Sequence, residues 1–143
     1  MRGSAAGGTM TPLPITLAAA AACALLNIWL GARVVRSRRA HGVRIGDGGN
    51  EAVLRRMRAQ VNFTENAPFV LILLGGLELS GARPLGLGLI AAIFVLARIF
   101  HPIGMEGPEK YRWRMIGMMG STFVTLALSF WAITDAVTWW LGR

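Results

Sequence analysis

The sequence predicts an all-α fold: a bundle of four transmembrane helices. Three observations carry this. Of the 143 residues, 54% are hydrophobic and only 15% charged, and the mean hydropathy is +0.51, a membrane-like balance rather than that of a soluble domain. The apolar residues gather into long runs, and a bilayer core needs about 20 of them per helix. Glycine- and proline-rich breaks separate the runs. A chain of this length supports one domain, here residues 1–143.

Each element follows from its residues. MRGSAAGGTM is small and polar, so residues 1–11 read as a flexible tail, without the charged start and cleavage pattern of a signal peptide. Segment one runs from Leu13 to about Val35. Cys23, the single cysteine, lies inside it, so no intrachain disulfide and no cysteine metal cluster is available, and a small packed side chain is expected. Asn27 reads as a polar contact between helices. GDGGN at 46–50 is a turn cluster with Asn50 as the N-cap of the next helix. It follows no strand and lacks a Lys-Ser/Thr pair, which argues against a phosphate loop.

Segment two starts polar at Glu51, runs through Pro68 and is apolar from Ala67 to Leu79. SGARP at 80–84 breaks the chain before segment three, about Leu85 to His101. Pro102, Gly104, Gly107 and Pro108 are expected to end it. Segment four runs from Tyr111 to about Leu141, with Tyr111 and Trp113 at one end and Trp139 and Trp140 at the other. Such aromatics mark the two membrane interfaces.

The net charge of +8 comes from fourteen Arg and one Lys against seven acids. Basic charge alone would suggest nucleic acid. Here it flanks apolar spans, so membrane topology accounts for it and no nucleic-acid partner is expected. Eight of the fifteen basic residues fall between Arg33 and Arg58, and four more between Arg98 and Arg114. The positive-inside rule then makes loops one and three cytoplasmic and puts both termini outside. Arg36, Arg38, Arg39 and Arg44 read as orientation charges only.

Segment two carries a polar ladder: Glu51, Arg55, Arg58, Asn62 and Glu65. Steps of four, three, four and three keep all five on one stripe. Ionisable groups cost about 2.5–3.5 kcal/mol each at a membrane helix centre, so the stripe must face helices or a wet cavity. Segment three ends at the same side with Arg98 and His101, and segment four begins there with Arg114. Arg58, Asn62, Glu65, Arg98, His101 and Arg114 are therefore expected at similar depth, as a cationic pocket with one acid.

Such a pocket suits a small anion bearing carboxylates, which arginine grips bidentately. Glu65 would accept from a ligand ammonium. Nearby arginines would also lower the pKa of a ligand thiol, so thiolate would dominate near neutral pH. Each residue has a plainer reading. Arg58 and Glu65 would form structural bridges with Arg55 and Glu51, and Arg98 and Arg114 would snorkel to headgroups. Ser121 and Thr125 are expected to bond carbonyls of their own helix.

RAQVNFTENAPF at 58–69 resembles the helix 2 signature of the MAPEG superfamily, the membrane-associated proteins of eicosanoid and glutathione metabolism. Arg58, Ala59, Asn62, Glu65, Pro68 and Phe69 carry the match. ARIFHPIGM at 97–105 is similar to the family's helix 3 end, and Arg114 falls where the family has an arginine at the start of helix 4. The overall pattern looks most like the small bacterial branch. The resemblance implies a homotrimer in a bacterial inner membrane, binding glutathione between subunits on the cytoplasmic side, without metal. It implies transfer of glutathione to lipophilic electrophiles, or reduction of hydroperoxides. Arg114 would stabilise the thiolate, with Arg58, Asn62, Glu65, Arg98 and His101 holding the tripeptide and Arg33 reaching it from segment one. The family's signature histidine is Gln60 here, the aspartate often found after the asparagine is Phe63, and hydroxyl-bearing positions are Met105, Met115 and Met118. Prostaglandin synthesis is therefore not implied. The alternative is a non-catalytic membrane module that binds glutathione or an anionic lipid. A transporter fits less well, because the polar groups cluster toward one end rather than at the midplane.

Overall fold

The computed structural model describes residues 12–142, so the expected tail at 1–11 lies outside the described residues. It contains α1 (Pro14–Ala40), α2 (Glu51–Leu79), α3 (Pro84–Gly104), a single 3-10 turn (Pro108–Lys110) and α4 (Tyr111–Trp140). There is no strand among the described residues. α1, α3 and α4 are each long and apolar enough to cross a membrane. α2, of 29 residues, is equally long but opens with the charged ladder, and this keeps it outside that class.

Local chemistry explains the helix ends. The side chain of Asn50 caps α2, accepting from the backbone N–H of Ala52 at 3.0 Å and of Val53 at 3.2 Å. Ahead of it, Gly46, Gly48 and Gly49 have φ of 68°, 60° and 70°, a left-handed backbone that glycine adopts without a Cβ clash. α1 runs past the expected Val35, and Arg38 ties its end to the loop by donating to the Gly46 carbonyl at 3.0 Å. Arg38 thus does more than set orientation.

α1 begins at Leu13 with no capping side chain of its own. Glu78, from the far end of α2, supplies the cap. Its carboxylate accepts from Ile15 N–H at 2.9 Å, Thr16 N–H at 2.8 Å and the Thr16 hydroxyl at 2.6 Å. A negative group at a helix N-terminus satisfies free N–H groups and complements the helix dipole. The same contact pins the start of α1 to the end of α2, antiparallel.

The core lies along the centre of the bundle, where Leu74, Leu77, Leu87, Phe94, Val124 and Leu128 are almost fully buried. Cys23 joins them as a packed side chain. The outer faces keep Leu25, Ile28, Leu89, Phe123, Leu126 and Phe130 exposed, the apolar surface a bilayer would cover. Tyr111, Trp113, Trp139 and Trp140 are exposed at the two ends of α4.

α3 and α4 approach each other through glycine. A Cβ on Gly117 would lie 2.5 Å from the backbone nitrogen of His101 and 2.7 Å from the Ala97 carbonyl. A Cβ on Gly104 would collide with the backbone of Arg114. Small residues at membrane helix contacts allow this approach. Pro102 does not end α3 at once: the helix continues to Gly104, where the α4 backbone at Arg114 lies against it.

Candidate functional site

The three helices named by the sequence meet at one buried junction. Arg98, on α3, is only 3% exposed. Its Nε donates to Ser121 Oγ of α4 at 2.7 Å, and its Nη1 donates to Asn62 Oδ1 of α2 at 2.8 Å. Ser121 in turn donates to the Gly117 carbonyl at 2.7 Å. The guanidinium also lies over the Phe94 ring, 5.5 Å from its centre. Both hydrogen-bond acceptors are neutral oxygens, so the junction anchors two of the guanidinium nitrogens without cancelling the charge. It is a fixed positive centre inside the bundle, where low dielectric makes its field reach further than in water. His101, one turn on, is buried against α4 at Gly117.

Ser121 and Thr125 do bond their own helix, at 2.7 Å and 2.9 Å. Ser121 does a second thing the sequence did not announce, because its oxygen also receives the Arg98 donor. A hydroxyl seven residues beyond Arg114, on the same helical face, was the available signal.

Within one chain the remaining expected residues do not share this chamber. Arg58, Glu65 and Arg114 are exposed, and none forms a hydrogen bond or ion pair among the described side chains. The reason is angular. α2 buries Val53, Ala59, Phe63, Ala67 and Val70. Asn62 sits about 100° around the helix from Phe63, while Arg58 and Glu65 sit roughly 140–160° around, facing away from the bundle. Arg114 lines a shallow cleft of about 330 Å³ with Arg55, Met105 and Tyr111. Glu51 and Arg55 do pair, at 3.3 Å and in solvent. The stripe therefore faces outward in the single chain, away from the helices of its own bundle.

Arg33 belongs elsewhere again. It reaches across to the loop after α3, where it pairs with Glu106 and donates to the Pro102 carbonyl at 3.5 Å. Its guanidinium stacks on Trp29, 4.7 Å from the ring centre. Lys110 holds the other Glu106 oxygen at 3.0 Å. Glu106 was not singled out from the sequence, and neither was Glu78. Burial pushes the Glu106 carboxyl up, but the Lys110 hydrogen bond and the Arg33 charge more than offset it, leaving it below the ordinary carboxylate range. The Arg33–Glu106 contact also brings the end of α1 and the α3–α4 connection to one end of the bundle, with Glu78 and Trp139 at the other.

Gln60, at the signature histidine position, packs on α1. A Cβ on Gly31 would lie 3.3 Å from its amide nitrogen. Asn27 is exposed on α1, so it joins no pair of helices within one chain.

Comparisons with known proteins place the chain in a family. The MAPEG family model matches residues 16–134, a stretch that holds Asn62, Arg98 and Ser121. The chain is also 30% identical, over 105 residues, to the inner membrane protein YecN of Escherichia coli K12, covering 73% of this chain and 79% of the relative. YecN of Escherichia coli O6:H1 strain CFT073 matches to the same extent. With three apolar membrane-length helices, these relatives make the protein an integral membrane protein of the bacterial inner-membrane kind. A helix 2 ladder, a buried helix 3 arginine and a match over most of the chain lead to one conclusion: the protein belongs to the MAPEG family.

Proposed function

We propose that the protein is a glutathione-dependent transferase or peroxidase acting on lipophilic electrophiles or hydroperoxides in a bacterial inner membrane. One observation carries the reading: Arg98 is a buried cation held by two neutral oxygens, so its charge is uncancelled. A thiol near that field is favoured as thiolate, since a nearby positive charge stabilises the ionised form. Membership of the MAPEG family supports a glutathione-related role in general.

The site is completed by a second copy of the chain. Arg58 and Glu65 face outward from α2, and Arg114 lies open at the start of α4. Left to lipid, such charges are costly. A homotrimer covers them and lets one subunit's α2 stripe oppose another's α4. In that arrangement Arg114 meets the sulfur, Arg58 and Asn62 meet carboxylate or amide oxygens, and Glu65 takes the ligand ammonium. Arg98 and His101 support the site from within, while Arg33 stands at its edge. Loops one and three face the cytoplasm, by the charge bias.

The test is a titration of the purified protein with glutathione, following ultraviolet thiolate absorbance. A thiolate band is expected in the native protein, with most of it lost in Arg114→Ala. Binding without any thiolate band would favour the non-catalytic module. Unchanged binding in both Arg58→Ala and Glu65→Ala would remove the site assignment.

A further inference from the structure

The charged end of the bundle holds a second cleft, of about 480 Å³, between α1, α2 and the connection after α3. Its polar lining is Arg33, Arg36, Ser37, His41, Arg56 and Glu106. We propose that this cleft binds a phosphate group, carried either by an anionic phospholipid headgroup or by a small soluble phosphate. The proposal goes beyond glutathione chemistry and does not depend on it.

Three observations converge. The first is charge. Glu106 is the cleft's one carboxylate, and it is already shared by Arg33 and Lys110. Arg36 and Arg56 have no carboxylate partner among the described residues. The second is donor capacity. Arg33 is 10% exposed at its side chain, and its Nη1 is buried with no hydrogen-bond partner. Arginine carries five N–H donors, and burying one without an acceptor costs free energy. Arg36 uses only its Nε, on the Ala32 carbonyl of its own helix at 3.4 Å. Arg56 donates by Nη1 to the Ala52 carbonyl at 2.9 Å and to Ser37 Oγ at 3.3 Å. Guanidinium donors thus remain on all three. The third is position. The cleft opens where α1 leaves its apolar stretch, at the end of the bundle where the basic residues gather.

Phosphate fits these donors better than a second carboxylate does. It offers more acceptor oxygens in a tetrahedral array, enough for several guanidinium forks at once. Basic pockets between membrane helices at the charged face are suited to such headgroups. The Ser37 hydroxyl, free to turn its proton, adds a donor to the floor.

The experiment uses the full chain purified in a neutral detergent. Inorganic phosphate is titrated while thermal unfolding is followed, and phosphatidylglycerol is offered against phosphatidylcholine in native mass spectrometry. Saturable stabilisation by inorganic phosphate would support a soluble source, and selective retention of phosphatidylglycerol would support a lipid headgroup. Whichever probe binds, Arg36→Gln plus Arg56→Gln is expected to weaken it at least tenfold, with the glutathione thiolate band unchanged. Arg36→Gln alone, at an exposed position, is expected to weaken it about threefold if the double variant does not fold. Lack of saturable binding by both probes, or equal binding in the Arg36→Gln variant, overturns the proposal whatever the glutathione titration gives.

Discussion

Among the described residues, two arginines come out of solvent, and they are treated in opposite ways. Arg98 has its Nε and Nη1 met by Ser121 and Asn62, yet no acid cancels its charge. Arg33 has its charge met by Glu106, yet one of its nitrogens has no acceptor. The first is anchored at two nitrogens by neutral oxygens and is electrostatically open. The second is electrostatically closed and geometrically open. Hydrogen bonds to neutral oxygens therefore fix a guanidinium in place while leaving its field available, whereas an ion pair neutralises that field. A rigid uncancelled charge suits stabilising an anion formed in chemistry, which gains most from preorganised positive potential. Spare donors beside a shared carboxylate suit holding a ready-made anion.

The largest expected effect comes from breaking the frame around Arg98. Gly117→Ala would push a methyl into the backbone of His101 and Ala97, and backbone in a packed helix pair cannot yield. Overpacking of this kind costs about 3 kcal/mol. Thermal unfolding in detergent should show a larger loss for Gly117→Ala than for Asn62→Ala or Glu106→Gln. A native-like melting temperature would show that α3 and α4 do not rely on this contact.

Removing an acceptor sharpens the comparison further. Asn62→Ala leaves Nη1 of Arg98 without its α2 partner, at a cost of roughly 2 kcal/mol for a hydrogen bond to a charged group. Asn62→Asp is the informative companion. It keeps an oxygen but cancels the charge, so it should hold stability near that of the native protein while lowering the thiolate yield. If Asn62→Asp raised the thiolate yield, the uncancelled field would not be what matters.

The smallest effect belongs to Arg33. Glu106 is a third exposed at its side chain, so Glu106→Gln should cost about 1 kcal/mol or less. The folded carboxyl lies below its ordinary value, and the unfolded value is about 4.3. The ion pair's stabilisation is then fully present above that unfolded value and is lost as pH falls through the lower folded value. The gap in melting temperature between native protein and Glu106→Gln should thus close on acidification below about pH 4.3, and a gap that stayed constant would remove the carboxylate from the account.

Helix positions were legible from the chain because they depend on local chemistry. Asn50 caps the helix it precedes, the glycines of GDGG take left-handed turns, and apolar runs of membrane length become the spans. The 3.6-residue period also put Arg58, Asn62 and Glu65 on one side of α2. It did not say which side faces the bundle, because a stripe has a direction only relative to a packing partner. Tertiary structure decided that, turning Phe63 and its row inward and leaving Arg58 and Glu65 outside. It likewise decided that Glu78 caps α1 across 62 residues of chain and that Glu106 captures Arg33 across 73. Contacts so distant in sequence follow from the distances and angles between packed helices, which steric fits such as Gly117 against His101 select and which no local pattern encodes.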